Sequence, residues 1–350
     1  MSPFKSSFAR SAQKLLGVYK QPDLSLRGTR NISRRPKDPP VAASGGNITA
    51  QPGGNGFKYH VFTSPGNFTV TQGGTVEILL VGGGGPSGST TASTTVGNCG
   101  GGGAGGVVHA PAYTIAAGTH PVTIGDPAPQ PLTPSPTRGE NSTFVDAGGP
   151  TTITALGGGV ASYYTTNDGV GHDGGSGGGG GYPAKPGGTG TQPTQNPGVS
   201  GLVQYGNPGG GMRAPEGGDY RYGGGGGAGA AGQPGDGPTN PAPGTGGAGG
   251  DGQAFPAFPG NLPAFGPLPS AWKTAVAPQG YYAGGGGGGV YDSTVAMPGG
   301  LGGGGNGGTA KSAGITNTGG GAGGAHSPSG PSQPEGTKGG SGICIIRYSE

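Results

Sequence analysis

Few residues of this chain have the types and spacing that chemistry requires. Gly305-Asn306-Gly307-Gly308-Thr309-Ala310-Lys311-Ser312 has the outline of a phosphate-binding loop. In such a loop the lysine directly follows glycine, between a strand and a helix. Here Ala310 intervenes, and neither flanking element is predicted. Gly246–Asp251 matches the first half of a calcium-binding nonapeptide, but Gln253 occupies the next apolar position and no tandem copy follows. Asp168, His172 and Asp173 share a glycine loop with too few oxygens for a hard cation. His60, His109, His120 and His326 have no Ser, Cys or carboxylate constellation beside them, and no carboxylate pair suits glycosidic chemistry. Cys99 and Cys344 lie far apart, and no Cys/His spacing suits zinc. The expectation is a non-enzymatic protein with no cofactor and no metal.

Recognition is better represented. Phe255, Phe258, Phe265, Trp272, Tyr281 and Tyr282 concentrate in residues 254–282, with six prolines among them. Rigid aromatics on a proline-stiffened loop lose little entropy on binding, so these six are candidate ligand or partner contacts, with a surface glycan as one ligand. The alternative is a local cluster that packs this insertion or a subunit seam. Tyr163, Tyr164, Tyr205, Tyr220 and Tyr222 form a looser second set. Arg221-Tyr222-Gly223-Gly224 is a single Arg/Gly/aromatic motif without repeats, and nucleic acid is not an expected partner.

The elements that must position these residues are unusual. The 350 residues include 93 glycines and 36 prolines, about 37% together, against roughly 12% in ordinary proteins. Leu, Ile, Val and Phe number 49 in all, too few to fill one helical or α/β core along the whole chain. Glycine comes in runs, without collagen's third-residue register. No apolar run approaches the ~20 residues that span a membrane.

Strand signals cluster between residues 57 and 156 and return at 342–350. Phe57–Phe62, Phe68–Thr71 and Thr75–Val81 are separated by turn residues, and Ile78–Val81 is continuously apolar, as in a buried central strand. Ile343–Tyr348 has nothing local to pair with. It is expected to return to the early strands, beside Val76–Val81. Between them, runs such as Gly82–Gly85, Gly100–Gly103 and Gly284–Gly289 are too long for turns. Polyproline-II geometry turns once per three residues and points its main-chain polar groups outward. Glycine at facing positions lets several such helices approach and pair those groups. The expected fold is therefore all-β: a small β-sandwich or jelly-roll-like scaffold with packed polyglycine-II helices, preceded by an extended N-terminal arm with a short helix. The expected domains are the arm at 1–45, the β-rich scaffold at 46–156, the glycine-rich region at 157–341 and the returning strand at 342–350.

The arm carries its own charge. Residues 1–38 hold nine basic and two acidic residues, +7, while the other 312 residues hold nine basic and thirteen acidic, −4. Phe4, Phe8, Ala12, Leu15 and Tyr19 form a stripe at near-helical spacing, and Pro22 ends it. So short a helix needs a partner surface. Phe4, Phe8, Leu15, Leu16 and Tyr19, with Arg27, Arg30, Arg34 and Arg35, are the candidate docking residues.

The run Phe62–Val70, then Val76–Gly85, then Gly100–Val108, resembles the glycine-rich domain of bacteriophage tail-fibre and adhesin proteins. Gly339–Tyr348 looks like that domain's last strand. The resemblance implies a virion protein, commonly trimeric, with polyglycine-II layers and variable loops at exposed tips. On that basis the chain is expected to be a fibre or spike subunit. Its arm would bind other virion proteins of the portal, adaptor, tail or capsid, and it would take part in host-surface attachment. A neck or capsid decoration protein without receptor binding, and a secreted glycine-rich matrix protein, are the alternatives.

Overall fold

The computed structural model describes residues 40–88, 100–128, 137–149, 151–162, 169–213, 220–236, 245–291, 295–327 and 336–350. Its strands, in chain order, are β1 (Ala42–Ser44), β2 (Ile48–Pro52), β3 (Phe57–Phe62), β4 (Gly66–Gln72), β5 (Gly74–Val81), β6 (Val107–Ile115), β7 (Gly118–Thr123), β8 (Ser142–Val145), β9 (Thr152–Ala155) and β10 (Val203–Tyr205). Then follow the two-residue strands β11 (Gln253–Ala254), β12 (Tyr281–Tyr282), β13 (Val290–Tyr291), β14 (Ala296–Met297), β15 (Gly307–Gly308) and β16 (His326–Ser327), and finally β17 (Ile343–Ser349). Among the described residues, the α-helix α1 (Ser270–Val276) lies between β11 and β12.

Two antiparallel sheets form the scaffold, in the orders β1-β4-β7-β8-β9 and β10-β6-β5-β17-β3-β2. The last strand lies between β5 and β3, with Ile345 opposite Leu79 on one side and Val61 on the other. Side chains on a strand alternate between faces, and here both faces of the six-stranded sheet are covered. Ile78, Leu80, Cys344, Ile346 and Tyr348 pack with Phe68, Val122, Phe144 and Ile153 of the five-stranded sheet. Leu79, Val81, Ile343 and Ile345 pack on the opposite side with the 255–282 aromatics and with Ala104, Ala228 and Ala283. Burial on both sides is why Ile78–Val81 of β5 and Ile343–Ile346 of β17 read as unbroken apolar runs.

Run 101–106 shows how glycine replaces side chains. Gly101 donates to Gly223 O at 3.0 Å and Ala104 to Gly226 O at 2.9 Å; Gly102 donates to Ala322 O and Gly105 to Gly319 O, both at 2.8 Å. Gly103 donates to Gly159 O at 2.9 Å and Gly106 to Leu156 O at 2.8 Å. Each neighbour returns after three residues, the repeat of a polyproline-II-type helix. The run's carbonyls accept from Gly82 and Gly85, from Ser176 and Gly179, and from Gly286. Six segments thus surround it, three receiving its amide hydrogens and three giving theirs. The same period holds for Gly223 and Gly226, which donate to Gly180 and Gly177, and for Gly285 and Gly288, which donate to Gly250 and Gly247.

A net gain of about 1 kcal/mol per hydrogen bond only roughly offsets the ~1–2 kcal/mol lost in fixing each residue's backbone. The scaffold supplies the rest of the order. The run at 82–85 continues β5, that at 100–106 leads into β6, that at 157–162 continues β9, and residues 336–342 lead into β17. Paired strands therefore fix the ends of these runs in advance.

Val41–Glu350 forms one compact unit, and within it β1 pairs with β4. Arm residues 1–39, including the predicted helix, lie outside the described residues.

Candidate functional site

The aromatic insertion is the first place to look, and the structure turns it inward. Phe258, Phe265, Trp272 and Tyr282 are fully buried and Phe255 is 4% exposed; Tyr281 alone is half-buried. Pro263 opens a 3-10 turn and Pro269 precedes α1, places where a missing N–H costs nothing. Trp272 and Val276, four apart on α1, face the core together. The rings then lock edge to face: Phe265 on Trp272 at 5.4 Å, Tyr59 of β3 on Phe265 at 5.4 Å, and Tyr205 of β10 on Phe255 at 5.6 Å. Trp272 Nε1–H donates to Asn317 O at 2.8 Å, and the Tyr282 hydroxyl donates to Phe258 O at 3.0 Å. Side chains sealed this way present no face to a ligand, so the exposed contact set gives way to packing of the insertion against the six-stranded sheet. Burying each large side chain stabilises by about 1.5–3 kcal/mol.

An ionic cluster sits beneath these rings. Glu77 on β5 accepts from His109 Nε2 on β6 at 2.8 Å and from Arg347 Nε on β17 at 2.7 Å. Arg347 also donates to Ala257 O at 3.2 Å and to the Tyr59 hydroxyl at 3.3 Å. Its guanidinium lies 4.1 Å from the Phe57 ring centroid and 5.3 Å from that of Phe258. Burial alone would raise the Glu77 carboxyl, but the donors His109 and Arg347 outweigh it and hold the group below its ordinary value. Sequence reasoning missed this cluster. The available signal was one charge inside each of two apolar strands, and Arg347 and Glu77 are in register.

A second polar group lies on the other face of the same sheet. Nδ1 of His60 is 2.9 Å from Gly45 O, and a carbonyl only accepts, so Nδ1 carries the proton. Nε2 therefore accepts from the Tyr348 hydroxyl at 3.0 Å. Tyr113 donates to Asp146 Oδ2 at 2.6 Å, while buried His120 stacks on Phe144 and accepts the Ala147 amide at Nδ1.

The remaining candidates resolve into local structure. Asn306 and Ser312 close a turn through Ser312 N to Asn306 O and Asn306 N to Ser312 Oγ, both at 2.9 Å, so the phosphate-loop outline is a bend beside β15. Asp251 Oδ1 accepts the Leu301 amide at 2.9 Å. Asp173 Oδ1 accepts the Thr189 amide at 2.6 Å and borders a cleft of about 460 Å³ with Thr137, Arg138, Val160 and His172. Tyr222 is buried, Tyr220 packs edge to face on Tyr182 at 5.0 Å, and the buried Cys344 is a free thiol. His326 lies in β16. No group of three or more His, Cys, Asp or Glu that could hold a metal occurs among the described residues. No helix among them is long and apolar enough to cross a membrane. Cys99, Tyr163, Tyr164, Asp168 and the docking set Phe4, Phe8, Leu15, Leu16, Tyr19, Arg27, Arg30, Arg34 and Arg35 lie outside the described residues.

Glu77, His109 and Arg347 on one face of the six-stranded sheet, and His60 and Tyr348 on the other, fasten strands to one another, and the glycine runs fasten one another through their main chains. No curated protein matches the chain in sequence. A model of the glycine-rich domain matches residues 62–349, which covers both the scaffold strands from Phe62 onward and the packed runs between them. The chain belongs to the glycine-rich domain family.

Proposed function

We propose that this protein is a non-enzymatic structural subunit of a virus particle, a phage-type fibre or spike component that assembles as a homotrimer. Residues 1–40 attach it to other virion proteins, and the body from Val41 onward projects and takes part in host-surface attachment. The observation that supports this reading best is the hydrogen-bonded glycine body. A segment such as 101–106, tied to six neighbours, resists displacement in every direction across its axis. Such a body transmits force and holds its shape without a large apolar core. The basic arm, +7 over residues 1–38, suits an acidic docking surface.

The test uses particles assembled with either the full chain or residues 41–350. Loss of incorporation with a folded body supports the arm's role, and unchanged incorporation removes it. The burial of Phe255, Phe258, Phe265, Trp272 and Tyr282 favours a second reading, a neck or capsid decoration protein without receptor binding. Purified body that fails to bind host cells selects that reading over attachment.

A further inference from the structure

We propose that His60 is an acid-sensitive latch: while neutral it holds β1 and the Gly45-Gly46 corner on the body, and on taking a second ring proton it releases them. The inference does not depend on the virion reading.

β1 belongs to the five-stranded sheet and β2 to the six-stranded one, so the chain must cross between sheets within three residues. Gly45 and Gly46 make that corner with φ of +118° and +88°. A side chain at Gly45 would run into the main-chain carbonyl of Asn67. His60 lies under the corner, fully buried, with its ring 5.0 Å from Phe68 and 5.6 Å from Tyr348. Both ring nitrogens are committed, Nδ1–H to Gly45 O and Nε2 to the Tyr348 O–H. The Tyr348 hydroxyl is also hydrogen-bonded to the Ala43 main chain. One imidazole thus fastens the strand at Ala43 and at Gly45.

A second ring proton would turn Nε2 from acceptor to donor. The Tyr348 hydroxyl would lose the acceptor for its own proton, and a cation would sit in an apolar layer. Among the described groups that act on His60, Lys58 on its own strand is a cation and Tyr348 on β17 is neutral; β4 offers the Phe68 ring and the corner offers the Gly45 carbonyl. No carboxylate is among them. Burial is the largest cause holding the imidazole below its ordinary value; the Gly45 carbonyl opposes it, and Lys58 adds to it.

The cheapest relief is local. β1 has three ladder positions with a shift of register after the first, reinforced by Val41, Ala43 and the bond from Thr71 Oγ1 to Ala42 O. Beyond His60, the corner is held by Thr49 Oγ1, which donates to Gly45 O and Gly46 O at 3.2 Å, and by the Asn47 amide, which donates to Val61 O at 2.7 Å. β5 and β17 are held on both sides along longer ladders. Short, exposed edges open without the rest. Once the corner lifts, His60 meets water and regains its ordinary value of 6.5. The closed state binds the proton more weakly, so closure is fully favoured above that value and weakens as pH falls below it.

The test is hydrogen exchange on the full chain between pH 7.5 and 4.5, with rates corrected for the chemical dependence of exchange on pH. Residues 41–47 should open about tenfold more per pH unit below roughly 6.5, the slope for one proton, while β5 and β17 keep their protection. His60→Asn retains a donor toward Gly45 and should abolish the dependence. Tyr348→Phe removes the hydroxyl that stabilises the neutral ring and should move the midpoint to higher pH. Exchange in 41–47 that ignores pH, protection lost from β5 and β17 in step with β1, or a dependence that survives His60→Asn each overturns the latch. If His60→Asn does not fold, an unmoved midpoint in Tyr348→Phe overturns it.

Discussion

The amide of Gly102 donates to the carbonyl of Ala322 at 2.8 Å, joining the segment before β6 to the one before β16. The opposite side of Gly102 faces the Gly85 carbonyl so closely that a Cβ there would overlap main-chain atoms. No side chain can swing away to relieve that overlap. Gly102→Ala should therefore cost about 3 kcal/mol or more, at the upper end of overpacking in a core. Gly198, with φ +84° and open space where a Cβ would sit, supplies the contrast, and Gly198→Ala should cost only about 1–2 kcal/mol from its left-handed backbone. Thermal melts of the two variants separate crowding from conformational strain.

Trp272 is the chain's single tryptophan and is fully buried. Native emission should be blue-shifted and resistant to acrylamide quenching until the body unfolds. Trp272→Phe should destabilise by about 1–3 kcal/mol through the lost bond to Asn317 and a small cavity. Red-shifted, readily quenched emission from the folded protein would restore the aromatics as a surface feature.

Glu77 ties stability to pH. Its carboxyl is held below the ordinary 4.5, so the folded state binds this proton more weakly than the unfolded state. Its contribution is complete above that value and is lost as pH falls below it. Glu77→Gln should lower stability at pH 7 by about 1.5–3 kcal/mol, the range for hydrogen bonds to charged groups. It should also flatten the acid limb of the urea-midpoint profile.

β9 pairs with β8 on one side; among the described residues no strand pairs with its outer edge, and two side-chain amides take that place. Asn196 Oδ1 accepts the Thr154 amide at 2.8 Å and its Nδ2 donates to Thr154 O at 2.9 Å; Gln192 Oε1 accepts the Leu156 amide at 2.6 Å. Open edges recruit other strands. Gln192→Ala should cost about 1–3 kcal/mol by leaving a buried amide unpaired, and light scattering should show faster aggregation near the melting point.

Some of this was legible in the residues. The turn-separated strands of 57–81 and the apolar 343–348 segment are local patterns, and β-propensity with alternation carries them. The three-residue repeat of the glycine runs also follows from main-chain geometry, since only glycine allows that approach. The Glu77–His109–Arg347 cluster was not legible, because its members come from three strands whose register only pairing sets. The same holds for His60, whose partners Gly45 and Tyr348 sit at opposite ends of the body's chain.

Sequence by itself determined the materials: strands at the two ends of the body, glycine between them, and too few large side chains for one oily core. Tertiary structure alone decided which way the aromatics face. Phe255, Phe258, Phe265, Trp272 and Tyr282 could serve a surface or a core equally well by type. The six-stranded sheet left its second face uncovered by the first sheet, and exposed Leu79, Val81, Ile343 and Ile345 would have cost more than any ligand contact returned. Removing that apolar face from water drew the rings inward.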